Sequence, residues 1–192
     1  MANINSVFGF RPVKQVGAGY NAGASNEYVI ANNETNAIFQ GDPVVLNANG
    51  SISRGNTKGA ELIGIFNGCF YDDPTTKKPT FSNFYPGGIA ADSMKAFVFD
   101  DPDALFEVKI NDTNGGQAQV GVNANIATYA AGSTNSGVSG VSLDGASFAT
   151  AAGANFRVVS LSTDVDNDDY TAANASIIVK INLHSLTDTT GV

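Results

Sequence analysis

Ala104-Leu105-Phe106-Glu107-Val108-Lys109-Ile110 alternates without a break: Leu105, Glu107 and Lys109 fall on one face, Phe106, Val108 and Ile110 on the other. That period of two belongs to a strand and not to a helix. Ser176-Ile-Ile-Val-Lys-Ile-Asn-Leu-His-Ser-Leu186 is the longest β-branched run and reads as the last strand. Shorter runs of the same kind are Tyr28-Val-Ile-Ala31, Val44-Val-Leu46, Glu61-Leu-Ile-Gly-Ile-Phe66, Lys95-Ala-Phe-Val-Phe99 and Phe156-Arg-Val-Val-Ser-Leu161. Asn49-Gly50, between two such runs, is a strong hairpin signal. Gly64 and Asn67-Gly68 interrupt one run and suggest a bulge or a turn. The expectation is a mainly β protein, built as β-barrel or β-sandwich units with long loops.

Between the runs the chain is turn-like. Val13 to Gly23 is Gly-rich and reads as loop, and residues 117–129 fit a short helix or a strand equally. Residues 1–12 sustain neither period and read as an extended N-terminal arm, its apolar side chains tied down on the arm's own body or on a neighbour. Residues 13–192 form the β-rich body. A soft composition break near 72–92, punctuated by Pro74, Pro79 and Pro86, is where two subdomains would divide.

Composition narrows the function. Among 192 residues there is one His, one Cys and no Trp, and only 15% of residues are charged. Such a chain has little with which to run acid–base, thiol or zinc chemistry, so no catalysis, cofactor or metal is expected. The net charge of −8 disfavours phosphate backbones and anionic membrane surfaces as partners. Cys69 has no partner for an internal disulfide and sits in a strand-like run, where it reads as a small buried hydrophobe. No secretory signal peptide is recognisable, and no apolar run approaches the roughly 20 residues that span a bilayer.

The remaining motifs are weak. Gly17-Ala-Gly19-Tyr-Asn-Ala22 has the spacing of a loosened dinucleotide fingerprint, but no strand–turn–helix surrounds it, and it reads as loop. Asp164-Val-Asp166-Asn-Asp168-Asp169 begins like a calcium loop, yet Asp169 and Ala175 stand where that loop needs Gly and Glu. Asp72-Asp73-Pro74 and Asp100-Asp101-Pro102-Asp103 read as bends. His184 has Ser185 and Asp188 nearby but no nucleophile elbow, so it reads as a surface or interface His.

The opening Met1-Ala-Asn-Ile-Asn-Ser-Val-Phe-Gly-Phe-Arg-Pro12 carries a resemblance, as do six later stretches in order. These are Phe39-Gln-Gly-Asp-Pro-Val-Val-Leu46, Leu62-Ile-Gly-Ile-Phe-Asn-Gly68, Val98-Phe-Asp-Asp-Pro-Asp-Ala-Leu-Phe-Glu-Val108, Gly140-Val-Ser-Leu-Asp144, Phe156-Arg-Val-Val-Ser-Leu161 and Val179-Lys-Ile-Asn-Leu-His184. Together they resemble the capsid decoration (cement, head-stabilising) proteins of tailed bacteriophages. The resemblance implies a structural virion protein, made in the host cytoplasm and bound in many copies to the outside of the capsid. It implies the major capsid protein as partner, with neighbouring subunits cemented against the pressure of packed DNA. Many such proteins are homo-oligomers; a trimer is favoured and a dimer stays open.

On that reading the arm is the capsid interface. Ile4, Val7, Phe8 and Phe10 are its apolar anchors, Arg11 a hydrogen-bonding clamp and Pro12 an extended-chain constraint, placed so that the arm adds a strand to a capsid edge. Rival readings are a head-attached glycan- or host-binding module, a tail structural protein, and an enzyme with two facing carboxylates. A cluster of exposed aromatics at Phe81, Phe84, Tyr85 and Tyr129 would favour the glycan-binding module.

Overall fold

A computed structural model describes residues 3–17, 24–32, 34–91 and 93–187. It is mainly β, with two sheets. One sheet holds β2 (Asn26–Ile30), β3 (Pro43–Leu46), β4 (Ser51–Arg54), β5 (Gly64–Asp72), β6 (Pro79–Ser82) and β7 (Lys95–Phe99). The order is β3-β4-β2-β7-β5-β6, and β3 also pairs with β5. The pairing therefore returns to its starting strand: five strands close a small barrel and β6 extends from β5. Closure removes sheet edges that would otherwise invite pairing with other chains.

The barrel interior is apolar, with Ile38, Val44, Ile52, Phe66, Tyr85 and Val98 all without solvent exposure. Cys69 lies among them as expected, and burial pushes its thiol up to about 12. The bulge in β5 sits between Phe66 and Gly68, not at Gly64. Gly64 has a different reason to be glycine: a Cβ there would stand 2.3 Å from the Phe99 carbonyl oxygen of the neighbouring strand.

The second sheet runs β1-β8-β11-β10-β9, all antiparallel. Its strands are β1 (Arg11–Gln15), β8 (Ala104–Lys109), β9 (Asn123–Ala124), β10 (Phe156–Leu161) and β11 (Ser176–Ile181). One face brings Phe106, Val108, Phe156, Val158, Ile177 and Val179 onto the outer wall of the barrel, where Ile65 and Phe99 complete the core. Strand β5 thus serves both cores, sending Ile65 to one and Phe66 to the other.

All of β8 is buried, on both faces. The alternation read from the sequence holds, but the Glu107–Lys109 face is covered by residues of the N-terminal segment and the 162–167 loop instead of facing water. The chain passes from one sheet to the other at Asp100-Asp101-Pro102-Asp103, where Ala104 N–H donates to the Asp101 carbonyl at 3.0 Å. The Pro-punctuated stretch, described as far as residue 91, holds β6 and the fully buried Tyr85, and belongs to the barrel.

One local expectation fails, and one that left helix and strand open finds both. Val13–Gln15 is strand, because β1 starts at Arg11 and pairs with β8 through a register shift between Pro12 and Lys14. A strand that carries a Pro and a bulge shows no clean alternation, so its period is hidden. Residues 117–129 form a 3-10 turn at Gln117–Gln119 and then the two-residue β9.

Phe10 is 2% exposed and stacks on Phe156, with ring centroids 4.3 Å apart. Phe10→Ala is expected to cost about 3–5 kcal/mol in urea unfolding, the range for emptying an aromatic site in a core. A loss below about 1 kcal/mol would place the ring outside the core.

Candidate docking surface around the N-terminal segment

The segment before β1 is held by one close crossing. Gly9 passes over Gly41, and both have positive φ, +69° and +92°. A Cβ on Gly9 would come within 2.6 Å of the Gly41 oxygen and of Ser139 Cβ, and one on Gly41 within 2.8 Å of the Phe8 oxygen. Only glycine accepts both that backbone conformation and that approach. Phe10 N–H donates to the Gly41 carbonyl at 2.9 Å, and Gly41 N–H to the Phe66 carbonyl at 2.8 Å. At its start the segment is tied again, through Asn3 Nδ2 donating to the Asp169 carbonyl at 2.7 Å.

Beneath the crossing lies Asp42, with no solvent exposure. Its Oδ2 accepts from Phe39 N–H at 2.9 Å and its Oδ1 from the Ser139 hydroxyl at 2.5 Å. Burial raises its pKa to about 6, although Phe39 N–H, the Ser139 hydroxyl and nearby Arg54 all favour the charged form. Asp42 therefore ties the barrel bend at 39–42 to the loop that carries Ser139.

The expected arm residues separate into distinct roles. Phe10 belongs to the protein's own core and is not free to anchor a partner. Arg11 pairs with the buried Glu107, which also accepts from the Ser162 hydroxyl at 2.6 Å. The Arg11 guanidinium lies over the Phe8 ring, 4.7 Å from its centroid, yet just over half of the Arg11 side chain stays exposed. Ile4 is 55% exposed; Val7, Phe8 and Pro12 are half-buried. The arm is thus laid on its own body, and Arg11 and Pro12 open β1.

Two recesses flank the Phe8–Arg11 pair, which forms a wall of both. The first, about 300 Å³, is mainly apolar: Phe10, Pro12, Phe66, Phe99 and Val138 line it, with Gln40 and Asn67 bonded to each other at 3.0 Å. The second, about 280 Å³, is polar and of mixed charge, with Glu107, Lys109, Asp164 and Asp166 beside Ile4 and Ser6. Lys109 Nζ donates to the Asn174 carbonyl at 3.0 Å. Burial pushes its ammonium below the ordinary lysine range, against the pull of Glu107, Asp164 and Asp166. The two recesses set an apolar slot beside a charged one, so an apolar side chain and polar groups fit next to each other along the segment.

Of the other expected positions, Asp164 and Asp166 reach the second recess and the rest lie elsewhere. The acidic 164–169 loop is organised by the buried Asn167, whose Nδ2 donates to the Ser162 and Ser176 carbonyls at 2.9 and 2.8 Å. Among the described residues no group of three His, Cys, Asp or Glu side chains could hold a metal ion, and no helix is long and apolar enough to cross a membrane. His184 is not at the surface: it is 2% exposed, and its Nδ1 accepts from Leu186 N–H at 3.1 Å. Burial holds its pKa below the ordinary value, opposed by Asp100. Of Gly17–Ala22 only Gly17 is among the described residues, and Asp188 lies outside them.

The aromatic quartet does not form a cluster. Tyr85 is buried, Phe84 stacks on Phe39 at 5.5 Å, and Tyr129 lies under the Arg54 guanidinium at 3.7 Å. Phe81 alone of the four is exposed, at 69%. Comparison with family models, with curated proteins and with solved structures finds no match to this chain.

A raised carboxyl pKa means that the folded state binds the Asp42 proton more tightly than the unfolded state does. The resulting stability is fully present below about pH 4 and is lost as pH rises through about 6. Asp42→Asn keeps an oxygen for Phe39 N–H and can turn its amide to the Ser139 oxygen. Between pH 4 and pH 7.5 the stability of the wild type should therefore fall relative to Asp42→Asn by about 2–3 kcal/mol, from the shift in proton affinity. Urea titrations of both proteins across that range read the difference, and a pH-independent gap would show that Asp42 titrates normally.

Proposed function

We propose that this chain is a structural virion protein that binds the outside of a tailed-phage capsid and cements neighbouring major capsid subunits. The observation that carries the reading is that both recesses are walled by the segment expected to be the capsid interface. Ile4, Phe8, Phe10, Arg11 and Pro12 line one or both. The ordered series of motifs that resembles the decoration proteins supports the same reading, and so does an acidic charge that disfavours the packaged nucleic acid as partner.

The mode of docking differs from strand addition by the arm. The chain that follows it, from Arg11, is already paired with β8. The free edge of β1 carries Pro12, a bulge and Lys14, all devices that discourage further pairing. Binding therefore falls to side chains: an apolar group of the capsid subunit seats beside Phe8 and Pro12, and polar groups meet Arg11, Lys109 and the 164–166 carboxylates. Each contact is small, and repetition over a capsid lattice multiplies its effect.

The test is binding to isolated capsids that lack this protein, followed by heating. Deleting residues 1–12 would also remove Phe10 from the core, so point changes are cleaner. Wild type should bind saturably and raise the disruption temperature of the capsid. Ile4→Asp and Phe8→Ala, checked for unchanged folding by urea titration, should each weaken binding about tenfold or more, as truncation of interface anchors does. Wild-type failure to bind, or full binding by both variants, would refute the reading. Binding to isolated tails instead would make it a tail protein.

A further inference from the structure

The outer face of the five-stranded sheet, turned away from the barrel, gathers cations in an acidic chain. Of the 10 Lys and Arg residues, Arg11, Lys14, Lys109, Arg157 and Lys180 all stand on it. Among the strand residues of that face Glu107 alone is acidic, and it is already paired with Arg11.

The pairing registers put three of these cations in one row across the strands. Lys14 stands opposite Leu105, Leu105 opposite Lys180, and Lys180 opposite Arg157. With neighbouring strands about 4.8 Å apart, the row spans about 14 Å from β1 to β10. Lys180 and Arg157 are therefore direct cross-strand neighbours of like charge, an arrangement that costs stability. Asp103 offsets part of that cost, its Oδ1 accepting from Lys180 Nζ at 2.6 Å. Lys14 and Arg157 are exposed and have no ion-pair partner among the described residues.

The row's length and borders select the anion. Side chains on one face of an extended segment repeat about every 7 Å, so two or three carboxylates match the row. A continuous polyanion fits poorly. Glu107 and Asp103 border the row and the chain carries −8 overall, so a nucleic acid would run off the row onto like charge. We infer that the Lys14–Lys180–Arg157 row docks an acidic segment of a partner protein, whose carboxylates relieve the like-charge pair. None of the three side chains lines either recess, so this is a separate surface, and the inference does not rest on the capsid reading.

Titration of the isotope-labelled protein with an oligoglutamate peptide tests it, with oligothymidylate as the competing polyanion. Amide shifts should cluster at Lys14, Lys180 and Arg157 and fade as salt is raised. Lys14→Glu combined with Arg157→Glu should weaken binding about tenfold or more. Lys77→Glu combined with Lys78→Glu changes the net charge equally, at exposed positions between β5 and β6, and should bind within about twofold of wild type. All four positions are exposed, so both double variants should unfold in urea like wild type. Four results would overturn the inference: no oligoglutamate binding at low salt, shifts centred away from the row, equal losses in the two double variants, or tighter binding of oligothymidylate at the row. The last would identify a nucleic-acid site instead.

Discussion

The rest of the structure depends on the contact between two backbones at Gly9 and Gly41. No side chain fits between them, and both residues need a conformation that other residues resist. The crossing delivers Phe10 into the core beneath the five-stranded sheet and leaves the chain aimed along β8 as β1. It also lays residues 3–8 over the Glu107–Lys109 face, which would otherwise hold two charged groups half-wet beside apolar neighbours. An N-terminal segment that reads as an extended arm, tied down on its own body or on a neighbour, is thereby one of the ties between the two sheets.

That constraint shapes what the protein can offer a partner. A closed five-stranded barrel, a blunted β1 edge and an end strand β6 of only 4 residues that opens on Pro79 leave little open backbone for strand pairing. What remains are side-chain surfaces: the paired recesses along the segment, and the cationic row on the outer face of the five-stranded sheet. The first combines an apolar slot with a charged one, the second sets Lys180 directly beside Arg157.

Much of the fold was legible where periodicity was clean. Lys95–Phe99 and Phe156–Leu161 are strands, Ala104–Ile110 is strand as far as Lys109, the run expected to reach Leu186 is strand from Ser176 to Ile181 only, and Cys69 is buried within a barrel strand. The Asp-Pro bends are bends, with Asp101 accepting from Asp103 N–H. Legibility failed where tertiary packing overrode the local pattern. β1 was hidden by Pro12 and its bulge. His184 sits in an ordinary-looking strand end, and nothing local says that the chain beside Leu62 will cover it. Of the candidate surface, Ile4, Phe8, Arg11 and Pro12 were visible as apolar or extended residues without a period. Glu107 and Lys109 carried a signal that could have been used: two charges in a strand otherwise apolar on both sides ask for a covering segment. Gly9, Gly41, Asp42 and Ser139 could not be found, because their roles exist only where distant stretches meet.

The most direct measurement is amide hydrogen exchange of the free protein at Phe10 and Gly41, whose N–H groups bond to the Gly41 and Phe66 carbonyls. If the segment is part of the body, both amides should exchange only through global unfolding, with protection equal to that of Phe106 and Val108 in β8. Exchange at Phe10 as fast as in an unstructured peptide, with β8 still protected, would contradict it and return the segment to the status of a free arm.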